Sequence, residues 1–125
     1  SIVKKQINKA MRYIKPYTGP SRTWFMYQDS LQDGCSRLSA VISGLPISKQ
    51  TAGVVVDLLL RLDDKLCNGG VDDSDGVVGG LIQDGVEMLK EYAKLDSQCV
   101  ETFEKLKGRS TCFGWEETLL EMIKK

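Results

Sequence analysis

Four cysteines stand at Cys35, Cys67, Cys99 and Cys112, and the chain has no histidine. Without an imidazole, neither a Ser-His-Asp nor a Cys-His arrangement can be assembled, and the commonest metal ligand is missing. Zinc held by cysteine would require all four thiols to converge, because no C-x-x-C pair supplies a local chelate. Their wide spacing leaves two readings open: buried free thiols, or two disulfides whose pairing the sequence does not choose.

The acidic loop Asp72-Asp73-Ser74-Asp75-Gly76 invites a calcium test. Aligning Gly76 with the turn glycine of an EF-hand puts Val71 where the first carboxylate belongs and Ile82 where the bidentate Glu belongs. The pattern fails at both ends. A solvated turn that supplies negative charge to the next helix N-terminus is the expectation. The glycines around it form no phosphate cradle of the G-x-x-x-x-G-K-[ST] or G-x-G-x-x-G kind. Asp63-Asp64 and Glu116-Glu117 are sequence neighbours, which on a helix point about 100° apart and do not face one site. They are expected on solvated faces. No catalytic residue, cofactor-binding residue or metal ligand is assigned, and the chain is read as a non-enzyme.

The elements that carry these residues read as helices, with connectors marked by Pro and Gly. Val3, Ile7, Ala10 and Ile14 form one apolar stripe and predict a helix over residues 1–15. Pro16, Gly19 and Pro20 stop it, so residues 16–22 form a connector. Ser21 is expected to cap a second helix with Trp24, Tyr27, Leu31, Cys35, Leu38 and Ile42 inward, although Gly34 weakens it. Ser48 caps a third, whose stripe Val55, Leu58, Leu59, Leu62 and Leu66 is the strongest in the chain and runs to Cys67. An acidic Gly/Asp loop over residues 68–76 leads to a fourth helix from about Val77, expected to fray at its start because of Gly79, Gly80 and Gly85. Asp96 or Ser97 caps a fifth helix carrying Val100, Phe103 and Leu106, and a sixth runs from about Phe113 with Trp115, Leu119 and Ile123 inward. The expected fold is all-α, a single-domain bundle of five or six helices over residues 1–125.

Residues Ser48-Lys49-Gln50-Thr51-Ala52, leading into Val56, Leu59, Leu60 and Leu62, resemble a helix in the RNA-binding core of pneumovirus transcription antiterminators. The zinc-binding segment of those proteins has no counterpart here. The resemblance implies a helix at this position and carries no function over.

Net charge is zero, yet it is unevenly placed. Six basic residues (Lys4, Lys5, Lys9, Arg12, Lys15, Arg22) and no acid lie between Ser1 and Gln28, while ten acids and four bases lie between Asp57 and Asp96. Lys5, Lys9 and Arg12 recur at helical spacing opposite the apolar stripe, and Lys4 and Lys15 widen that face. Beside it, Trp24-Phe25-Met26-Tyr27 covers a whole turn and cannot all point inward, so at least one of Phe25 and Met26 is expected to be exposed or to meet helix one. These residues (Lys4, Lys5, Lys9, Arg12, Lys15, Phe25 and Met26) are the candidate partner-binding set. The leading expectation is a regulatory or interaction domain that binds another protein. An RNA- or DNA-binding regulator using the basic helix is the first alternative, with Tyr13 and Tyr17 available to stack on bases. A secreted helical factor or carrier with two disulfides is the second. Val54–Leu62, broken by Asp57 and Arg61, falls short of the roughly 20 apolar residues of a membrane span. No signal-peptide pattern follows Ser1, and the sparse cysteines lean toward an intracellular setting. Oligomeric state and partner identity are not written in the sequence.

Overall fold

Ser1 accepts a hydrogen bond from the Lys4 amide (3.2 Å) and opens α1, Ile2–Met11, in the computed structural model, which describes residues 1–124. The helix ends a turn earlier than the apolar stripe predicts. Arg12, Tyr13 and Ile14 bond back to Lys9, Ala10 and Met11, an i to i−3 pattern that tightens the chain before Pro16. Proline disfavours the α conformation in the residue before it, so Lys15 lies outside the helix. Ile14 is nevertheless wholly buried, because the tight turn keeps it on the apolar side.

α2 runs Trp24–Ser43 after a short 3-10 turn, Ser21–Thr23. Ser21 is therefore not its cap. The hydroxyl of Thr23, which precedes the helix, instead donates to the Pro20 carbonyl at 2.8 Å. Gly34 sits where a side chain would meet Tyr13 Cβ at 2.8 Å and the Ala10 carbonyl at 3.2 Å. Its cost in helix propensity is thus exchanged for close packing of α1 on α2.

α3, Lys49–Cys67, is capped as expected by Ser48, which accepts from the Thr51 amide at 3.1 Å. α4 spans Val77–Leu95 and does not fray. Both oxygens of Asp73 hold its first turn, accepting from the Val78 and Gly79 amides at 2.9 and 2.8 Å. An acid at that end also complements the helix dipole.

The segment Ser97–Leu106 forms a 3-10 helix rather than an α-helix, capped by Asp96. Its buried residues Cys99, Thr102, Phe103 and Leu106 keep the i, i+3, i+4, i+7 spacing of an α-helix, so the inward pattern does not mark the tighter winding. The final helix, α5, is Glu116–Ile123. It starts later than expected because Phe113 takes a left-handed φ of 67° and stands 86% exposed.

α3 is the hub, packed against α4 and the 3-10 helix, while α1 packs on α2, α2 on α4, and α5 on the 3-10 helix. Leu58, Leu59 and Leu62 of α3 meet Leu31, Leu38, Leu89, Phe103 and Leu119 in one core. The chain is all-helical, with six helices in a single domain and no strand among the described residues. No helix among them is long and apolar enough to cross a membrane.

Candidate functional site

Spacing of three and four along α1 aligns Lys5 and Lys9 with its C-cap residue Arg12, and all three are exposed. Ile7, Ala10 and Met11 are buried on the opposite side. Six ion pairs are formed elsewhere, by Asp33, Asp57, Glu87, Glu91, Glu101 and Glu104 with nearby Arg or Lys. Among the described residues, none of Lys4, Lys5, Lys9, Arg12, Lys15 or Arg22 has such a partner.

The acidic loop forms no ion pair with them. It packs against the 16–28 segment, where Asp72 and Asp73 accept from N–H and O–H donors while Asp75 is exposed. Trp24 Nε1 donates to Asp72 at 3.1 Å, the Ser74 hydroxyl donates to the same carboxylate, and Asp73 caps α4. Those bonds hold the Asp72 carboxyl below its ordinary range, first through Ser74 and then through Trp24.

Tyr27 joins connector and loop. Its hydroxyl donates to the Lys15 carbonyl at 2.5 Å and accepts from the Asp72 amide at 3.1 Å. Burial raises this phenol above its ordinary value and keeps it a neutral donor. Lys15 therefore lies off the α1 face but beside Met26, and both line a shallow depression of about 280 Å³ with Pro16 and Tyr17. Phe25 and Met26 are 74% and 73% exposed, so both point outward. Phe25 packs edge-on against Trp24, centroids 5.4 Å apart. Lys4 lies at the other edge of α1, on the side facing α3.

Tyr13 and Tyr17 are both engaged within the fold. Arg37 stacks 5.0 Å above the Tyr13 ring. Tyr17 meets the Tyr27 ring at 4.9 Å, and its hydroxyl donates to the Pro20 carbonyl.

Two buried carboxylates correct the expectation of solvated acid pairs. Asp64 and Glu117 are exposed, but their neighbours Asp63 and Glu116 are buried. Asp63 Oδ1 accepts from Trp115 Nε1 and from the Cys112 amide, each at 2.9 Å. Glu116 accepts from the Thr111 amide and hydroxyl at 3.2 Å. The signal for Asp63 was its place four residues after Leu59, on the buried stripe. The cysteines follow neither uniform reading: Cys67 and Cys112 are joined in a disulfide, while Cys35 and Cys99 are buried free thiols. Two disulfides are thereby excluded, as are four free thiols. With the sulfurs joined, the Asp63-Cys67-Cys112 cluster offers no thiolate, and Asp63 serves as a hydrogen-bond acceptor.

Burial, followed by the charge of Asp73, pushes the Cys35 thiol from an ordinary 9.0 up to about 12. The unfolded chain releases this proton first, so the group's contribution to stability is present below pH 9.0 and is lost as pH rises toward 12. In denaturant melts the stability difference between wild type and Cys35→Ser is expected to be constant below that lower value and to shift against the wild type on the alkaline side. Alkylation of native protein at neutral pH should leave Cys35 unmodified.

A groove of about 580 Å³ between α1, the Leu45–Ser48 turn and α3 was not visible in the sequence, because its walls come from three separated segments. Asp57 is the one carboxylate in its lining, and no cysteine joins it. This arrangement offers shape and charge for binding rather than a paired acid and base. Compared with family models, curated proteins and solved structures, the chain matches none.

Proposed function

We propose that this chain is a non-enzymatic interaction domain that binds an acidic partner protein through the outer face of α1. The observation that carries this reading is the row Lys5, Lys9 and Arg12, exposed and, among the described residues, without a carboxylate partner, in a fold where six other bases form ion pairs. Unpaired charge of one sign on a rigid helix steers association and selects a partner of opposite sign. Met26, beside Lys15, and its neighbour Phe25 supply exposed apolar surface, the kind of anchor that concentrates binding energy. Nucleic-acid phosphates would also suit the row, but Tyr13 and Tyr17, the aromatic residues nearest it in sequence, are engaged with Arg37, Tyr27 and Pro20.

Affinity capture from the source extract, comparing wild type with Lys5→Glu plus Lys9→Glu, tests this. A protein retained by the wild type, eluted by salt and lost with the variant is the expected result. Equal retention by both forms, or a captured fraction that nuclease abolishes, would overturn it.

A further inference from the structure

α1 packs along α2 and leans away from α3, bridged to it where Arg61 donates to the Asn8 side-chain oxygen at 2.9 Å. The gap is the 580 Å³ groove. Ile7 and Leu58 form its floor, and Val3, Leu45, Pro46 and Val54 its apolar walls. We infer that this groove receives the apolar side chains of an acidic amphipathic helix carried by the same partner protein, an inference that rests on the basic-face reading above.

Three features commit the groove to that occupant. Its rim is positive: Lys4 and Arg61 have no carboxylate partner among the described residues, while Asp57 is neutralised by Lys105 at 3.1 Å. An occupant therefore carries acids beside its apolar residues. The apolar surface also extends past the walls, since Ile47, next in sequence to the wall residue Pro46, is 49% exposed. A ligand enclosed by the groove would leave it uncovered; a helix lying along the groove covers it. Finally, Lys4 stands on the α1 side of the groove and Arg61 on the α3 side, so acids flanking the apolar residues of one bound helix meet a base on each wall. A groove between helices is read by anchors at i, i+3, i+4 and i+7.

The test uses the full, disulfide-bonded chain, labelled for NMR, and three probes. One is a synthetic Glu-rich helical peptide with leucines at that spacing; the second has the same composition with the leucines scrambled; the third is dodecanoate. The expected result is binding of the patterned peptide about tenfold tighter than the scrambled one, with shifts at Val3, Ile7, Val54 and Leu58. Val54→Glu, or Leu45→Glu should the first fail to fold, abolishes that preference and leaves scrambled-peptide binding unchanged. Retention of the groove shifts in Lys5→Glu plus Lys9→Glu supports the groove even where the outer row fails. Equal binding of both peptides with shifts confined to Lys5, Lys9 and Arg12 overturns the groove and leaves the basic-face reading standing. Dodecanoate filling the groove while the patterned peptide does not enter it overturns the helix in favour of a lipid.

Discussion

Removing the disulfide between Cys67 and Cys112 is expected to cost about 4 kcal/mol of folding stability. The two residues are 45 apart in sequence. Opening a loop of that length restores the conformational freedom that the cross-link removes from the unfolded chain. The native contacts around it do not depend on the sulfur bond. Asp63 still accepts from the Cys112 amide and Trp115 Nε1, and Trp115 remains buried against the core. Urea unfolding of Cys67→Ser plus Cys112→Ser should therefore show a large fall in midpoint with an unchanged folded-state tryptophan signal. Cys35→Ser or Cys99→Ser does not open this loop and serves as the control. A loss below about 1 kcal/mol would contradict the assignment, as would free-thiol counting that finds four reactive cysteines in denatured, unreduced protein.

Leu59→Ala is expected to cost about 2–5 kcal/mol, because Leu59 is wholly buried on the hub helix α3 and its deletion leaves a cavity. Gly85 makes the site informative. A Cβ at Gly85 would stand 2.6 Å from Leu59 Cδ2, so α4 approaches α3 closely only because residue 85 lacks a side chain. Gly85→Ala should destabilise by about 1–3 kcal/mol, even though alanine is the better helix former by about 1 kcal/mol. In the double variant the alanine methyl enters space vacated by leucine. The combined cost should then fall short of the sum of the single costs, a coupling visible in a double-mutant cycle by denaturant unfolding. Strict additivity would show that these helices do not meet there.

The long stripes were readable because burial imposes a period. Val55, Leu58, Leu59 and Leu62 gave α3, and Ser48 its start, at the boundaries the structure has. Local competition moved other boundaries. Pro16 cut α1 short, Ser97–Leu106 wound as a 3-10 helix although its buried residues keep α-helical spacing, and Phe113 delayed α5 by adopting a left-handed turn. Glycine misled in α4, because propensity counts its cost but not the tertiary approach it permits at Gly85 or the cap supplied from Asp73. Of the candidate surface, the basic row was legible from spacing, since exposure of Lys5, Lys9 and Arg12 follows from the burial of Ile7, Ala10 and Met11. The absence of acidic partners among the described residues was not, because it depends on which bases the folded chain brings to its carboxylates. The same holds for the groove, whose walls meet only in the folded chain.

The association rate of the captured partner, followed against ionic strength, measures most directly whether the α1 face acts by its charge. A rate that falls steeply with added salt, and falls again when Lys5, Lys9 and Arg12 are replaced by glutamate while dissociation changes little, is the predicted result. A rate indifferent both to salt and to those three residues would contradict it.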